Sequence, residues 1–162
     1  MATTSYLCRA IRKAHVDNQS DFAGTYSLLV RAKSMPSPVT APNTVEKTDL
    51  EDDCQTFLMG IKTSDAQEIT GNLEKSYLQG INALGNAEQD VMYLYGSDGV
   101  GNVAKYVRTA QVSATPSDVG GVDEVVEMTV TIVPTTVAEE VTDLYTVVDN
   151  GDGTFTVTKN GI

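Results

Sequence analysis

A single histidine, His15, is the only candidate for an imidazole base in this chain of 162 residues. Nucleophilic catalysis would need a hydroxyl or thiol beside it, and no serine here sits in the tight strand-to-helix turn that presents such a nucleophile. His15 instead follows Arg12 and Lys13 in a basic N-terminal stretch expected to be mobile. The run Asp49-Leu50-Glu51-Asp52-Asp53 has the acid density of a calcium loop, but Cys54 stands at the sixth position, where the sharp turn demands glycine. It reads as a solvated acidic loop. Asp149-Asn150-Gly151-Asp152-Gly153 misses the same register and reads as a hairpin turn, because Asn-Gly and Asp-Gly accept positive φ. Gly96-Ser97-Asp98-Gly99-Val100-Gly101 has glycines but no lysine, and it joins two strands, not a strand and a helix where amide donors would meet a phosphate. Carboxylate pairs arise by chance in so acidic a chain, and no spacing marks a glycosidase pair. Cys8 and Cys54 lack metal-ligand spacing and are expected to be reduced thiols. No catalytic residue, metal ligand or cofactor is expected, and the chain is read as something other than an enzyme.

Composition narrows the class further. The length suits one domain with one core, expected over 1–162. Tryptophan is absent and aromatics make up 6% of residues, which disfavours a small-molecule pocket. The net charge of −11 argues against binding nucleic acid or an anionic membrane surface, both of which recruit Lys and Arg clusters. The charge is uneven: residues 1–33 carry five bases and two acids, the remainder six bases and twenty acids. A basic end on an acidic body suits head-to-tail contact between identical subunits; solubility alone would also account for it. No apolar run reaches the roughly 18–20 residues that span a bilayer, and Met1–Ser5 does not begin a signal peptide. A soluble chain made in a cytoplasm is expected.

The elements that must carry these residues are mainly β. Ser27–Lys33 alternates as a strand, with Leu28, Val30 and Ala32 on one face and Leu29, Arg31 and Lys33 on the other, and Met35-Pro36-Ser37-Pro38 ends it. A long loop follows over 36–62, with isolated apolar residues and room for a short strand around Asn43–Thr48. Ala66–Gly71 is a weakly patterned strand. Asn72 is the expected N-cap of a helix over 73–84, where Leu73, Tyr77, Leu78, Ile81 and Leu84 recur at helical spacing and Gly85 ends the element. Glu88–Tyr95 and Ala104–Ser113 form a hairpin, and Val122–Pro134 is the clearest strand, with Val122, Val126, Met128, Val130 and Ile132 on its apolar face and Asp123, Glu127, Thr129 and Thr131 on its polar one. Residues 142–162 read as a C-terminal hairpin, and Tyr6–Val16 as either a short helix or an extended arm. The expected fold is an antiparallel β-sandwich or half-barrel of about six to eight strands with one packed helix, a long loop after an early strand, and terminal arms over 1–26 and at the C-terminus.

The order Met35-Pro36, Thr44-Val45-Glu46-Lys47-Thr48-Asp49-Leu50-Glu51-Asp52-Asp53, Phe57-Leu58-Met59-Gly60, an amphipathic helix, and then Val126-Glu127-Met128-Thr129-Val130-Thr131-Ile132-Val133-Pro134 resembles the major tail protein, or tail tube protein, of phages with long non-contractile tails. The resemblance runs from about Leu28 to Val137, and for the N-terminal region it implies an arm with a short first strand. It implies a structural virion protein whose copies close into hexameric rings, join their sheets around a channel, and stack through the long loop and terminal arms to form the conduit for DNA ejection. It implies assembly in a bacterial host cytoplasm and residence in the virion tail. The implied partners are copies of the chain itself, a tape measure protein that sets tail length, and tail-end proteins, with DNA passing through unbound. Carried over by residue, Met35, Pro36, Val45, Leu50, Phe57, Leu58 and Met59 are candidate contacts to the next ring, unless they fold back onto their own core. Glu127, Thr129 and Thr131 are candidates for the channel wall, where acids would repel DNA phosphates. A tube protein of a contractile injection system or a tail-end ring is the nearest alternative. A β-sandwich carbohydrate-binding or adhesion module is the other, with the missing Trp and signal peptide against it.

Overall fold

The computed structural model describes residues 7–18, 21–39, 41–51, 53–60 and 65–160. In chain order the elements are β1 (Arg9–Ala14), β2 (Gly24–Leu28), β3 (Ala32–Ser34), β4 (Thr44–Glu46), β5 (Phe57–Met59), β6 (Gln67–Asn72), α1 (Lys75–Asn82), β7 (Glu88–Tyr95), β8 (Ala104–Pro116), β9 (Glu127–Pro134), β10 (Glu139–Glu140), β11 (Tyr145–Asp149) and β12 (Thr154–Lys159). The fold is mainly β, as the alternation predicts. Nine strands run β11-β12-β2-β1-β7-β8-β9-β6-β3 in one curled antiparallel half-barrel, β10 pairs with β8 beside that path, and β4 and β5 form a separate two-stranded sheet. Strands outnumber the expected six to eight because β3, β4, β5 and β10 have only two or three residues each, too few to alternate visibly.

The central strands are apolar on both sides, so the sheet carries a core on each face. On β7, Val91 and Tyr93 join one cluster, with Ala110, Val112, Met128, Val130 and Ile132, while Met92 and Leu94 join the other, with Tyr26, Val107, Phe155 and Val157. Helix α1 covers the first cluster through Ile81, and Leu73, Tyr77 and Leu78 lean on it. The C-terminal hairpin β11–β12 helps to close the second.

Several boundaries differ from the sequence reading, each for a local reason. Over Arg9–Ala14 the N-terminal stretch is not a helix but a short strand, the alternative that the resemblance implies; β1 lies between β2 and β7, with Ala10 and Ile11 fully buried and Arg9, Arg12 and Lys13 reaching polar partners around them. The expected strand Ser27–Lys33 is two strands. After Leu28 the chain crosses to the far edge of the sheet, where Ala32–Ser34 pairs with β6, and Leu29 and Val30 are both buried in the crossing. Gly71 of β6 permits that close passage: a Cβ there would lie 2.6 Å from the Arg31 carbonyl oxygen and 2.7 Å from a Val30 methyl. Asn72 does not cap α1, because it is still in the β6 ladder opposite Glu127; the N-cap is Glu74 and makes no side-chain cap bond. The helix stops at Asn82, short of the expected residue 84, with Ala83 as a right-handed C-cap, and Gly85, with φ +57, lies in the turn that follows. The long strand starts at Glu127, leaving Val122 fully exposed in the preceding turn, while the burial of Met128, Val130 and Ile132 follows the expected alternation.

Candidate functional site

The groups with chemical potential are mostly engaged in holding the sheet together. Asp90, fully buried on β7, accepts from Thr109 Oγ1 at 3.2 Å, and lies 3.1 Å from Lys13 Nζ and 2.9 Å from His15 Nδ1. His15 is thus fixed by a β-strand carboxylate, contrary to the mobile stretch expected, and the buried anion there is matched by the Lys13 ammonium. The acidic run at 49–53 sits at the tip of the β4–β5 hairpin, with Asp49 Oδ1 accepting from the Glu51 amide at 2.9 Å; Asp52 lies outside the described residues. At the β11–β12 turn, Asp149 accepts from the Gly151 amide and from Arg9, and these bonds, the amide first, hold its carboxyl below the ordinary range. Among the described residues no three His, Cys, Asp or Glu side chains are gathered as metal ligands, and Cys8 and Cys54 are not joined to each other in a disulfide.

The β4–β5 hairpin is different, because its apolar side chains are uncovered. Val45 pairs with Leu58 across the ladder, and Phe57 and Met59, opposite Glu46 and Thr44, occupy the other face. Both faces of a two-stranded ribbon are therefore apolar. Val45 is 53% exposed, Phe57 53%, Leu58 52%, Met59 80% and Leu50, at the tip, 104%. These residues do not fold back onto their own core. Backbone bonds from Lys47 N to Thr56 O at 2.9 Å, and from Gly60 N to Asn43 O, close the ribbon at both ends. Gly60 is required there, since a Cβ would meet the Asn43 carbonyl oxygen at 2.9 Å.

The hairpin's near root is fastened to the body. The guanidinium of Arg108, only 2% exposed on β8, donates to the Pro38 carbonyl, and the Gln67 side-chain amide donates to the Ser37 carbonyl. Tyr93 donates to Gln67 Oε1 at 3.3 Å, and burial raises the Tyr93 hydroxyl to about 12 although the Arg108 charge opposes the rise. Met35 and Pro36 are half-buried in this root; Met35 packs on the first core and lines an open hollow with Pro38, Tyr95 and Tyr106. The expected loop contacts thus separate into a held root, Met35 and Pro36, and a free ribbon bearing the other five. Sequence reasoning passed over Arg108 and Gln67, since a lone Arg within an alternating strand gives no sign that it faces inward.

Glu127, Thr129 and Thr131 do share a face, half-buried, opposite Met128, Val130 and Ile132. Glu127 pairs with Lys33 at 3.0 Å, and Thr129 lies 3.1 Å from the Ser117 hydroxyl. Ser34 and Thr70 meet at 3.2 Å on the neighbouring strands. This face is hydroxyl-rich more than acidic. No helix among the described residues is long and apolar enough to cross a membrane. No family model matches the chain, and a comparison with curated proteins finds no similar sequence.

Proposed function

We propose that this protein is a structural tube subunit, a tail tube protein of the long non-contractile phage type, which works by joining copies of itself into stacked rings. The observation that carries this reading is the β4–β5 hairpin: a ribbon apolar on both faces, uncovered in the single chain, with its near root fastened by Arg108 and Gln67. Exposed apolar surface of this kind marks interaction sites, and an isolated two-stranded hairpin is marginal until something covers it. The half-barrel ends in edge strands, β11 and β3, that a neighbouring subunit's sheet would extend. The hydroxyl-rich face of β9, β6 and β3 supports a channel wall that offers phosphates no fixed cation, Lys33 being paired to Glu127. In this reading the subunit acts without a cofactor or a reaction, its further partners are a tape measure and tail-end proteins, and its place is the virion tail after assembly in the host cytoplasm. Negative-stain electron microscopy over a concentration series, beside light scattering, tests it. Hollow rings or tubes of uniform diameter are expected; a species that stays monomeric throughout, alone and with tail-end proteins, would overturn the reading.

A further inference from the structure

We infer that the acidic tip of the β4–β5 hairpin docks on a second copy of this chain, in a cleft rimmed by Arg31 and Arg9. The inference rests on the self-assembly reading and names the surface that receives the hairpin. Two hollows of about 310 and 270 Å³ share Arg9, Leu28 and Arg31 in their walls, one extending to Val30 and the other to Phe155. Together they make a mainly polar cleft, with the guanidinium groups of Arg9 and Arg31 and the Asp149 carboxylate in its walls and Leu28 shared between its two halves. Arg31 is exposed on the crossing between β2 and β3 and makes no ion pair among the described residues. Arg9 lies over the Phe155 ring and is shared with Asp149 at 3.0 Å.

The tip has the complementary pattern. Leu50 projects into solvent between Asp49 and Glu51, and residues 44–59 carry five acids against one base. The carboxylates of the tip are opposite in sign to the arginines of the cleft, and Leu50 would meet Leu28 in the shared wall. The tip stays exposed in its own chain, so the receiving cleft belongs to another copy. Because tip and cleft are different surfaces, the contact is heterologous, and each subunit keeps a free tip and a free cleft for further growth. The uneven charge of the chain, basic in 1–33 and acidic elsewhere, thereby acquires a directional role.

Sedimentation velocity of the full chain, with Arg31→Glu, Glu51→Arg and the combined exchange, tests the contact. Both positions are exposed, so melting temperatures should match the parent. Each single change is expected to raise the concentration needed for association by about tenfold or more, and the combined chain to recover most of the loss, since a direct pair is coupled where distant sites simply add. Parent association should weaken between about 0.1 and 1 M salt, as the screening length falls from about 10 to 3 Å. An Arg31→Glu chain that associates like the parent, or a combined chain as weak as the summed singles, overturns the contact while leaving self-assembly standing. A parent chain that never associates at low salt overturns both.

Discussion

Replacing Leu50 and Phe57 together with Ser separates the stability of the subunit from its power to assemble. Fully burying an apolar side chain contributes about 1.5–3 kcal/mol. Leu50 has all of its surface still to bury and Phe57 about half, from exposures of 104% and 53%. Docking of the two is thus worth about 2–4 kcal/mol per contact, a factor of roughly 30 to 1,000 in the association constant. Within the monomer Leu50 covers nothing and Phe57 already has about half of its surface covered, so unfolding free energy should fall by about 1 kcal/mol, or about 2–4 °C in melting temperature. Circular dichroism melts of dilute protein read the first quantity, and sedimentation with electron microscopy the second. A melting temperature lowered by more than about 4 °C would mean that the hairpin packs on its own body. Unchanged association at unchanged stability would remove the ribbon from the assembly contact.

Asp90→Ala should destabilise the fold by about 2–3 kcal/mol, below the usual 3–5 for one member of a buried pair because Lys13 and His15 still reach solvent; a urea midpoint lower by about 1 M would register it. Tyr93 and Tyr95 are both raised from 10.0 to about 12, in each case chiefly by burial. A folded pKa above the unfolded one gives stability that is complete below pH 10 and is lost as pH rises through about 12, so alkaline unfolding and tyrosinate absorbance should appear together in that window; absorbance complete near pH 10 with the fold intact would contradict the burial. Arg108→Met should leave the melting temperature level or raise it, because Nε and one terminal nitrogen of this buried cation have no partner among the described residues. The same change releases the Pro38 carbonyl, so limited proteolysis should cut the 36–60 segment sooner; a melting temperature several degrees lower would show that Arg108 holds the core itself.

What the sequence revealed follows from the length scale of each signal. Glu88–Tyr95 was legible to the residue because Val91–Tyr95 is apolar on both faces, the pattern of a strand buried on both sides. The alternation of Met128, Val130 and Ile132 likewise fixed a face, and Asn150-Gly151 with Asp152-Gly153 fixed a turn. From its own residues β1 was illegible because three cations in six residues look like surface, whereas here they flank Ala10 and Ile11 and find Asp149, Gln89 and Asp90 across strands that are 77 to 140 residues away in sequence. The break at Leu29–Arg31 was hidden for the opposite reason: alternation continues through it, and only the bare backbone of Gly71, forty residues later, lets the chain pass. The candidate loop was found by its scattered apolar residues, but its division into a held root and a free ribbon depends on Arg108 and Gln67, which lie on other strands.

That division bears on how such a surface stays soluble before it is covered. Proteins usually guard an exposed ribbon with lysines, prolines or bulges that prevent pairing with another chain. This ribbon has one lysine, Lys47, and a tip rich in carboxylates. Carboxylates repel the tip of an identical copy, so two ribbons do not meet tip to tip, yet they leave the apolar faces open to a basic partner. The charge therefore selects against ribbon-on-ribbon aggregation while favouring a cleft of opposite sign. Under the proposed tube function, a subunit would have to remain dispersed and then stack in one direction, and both properties would reside in the same few residues around Leu50.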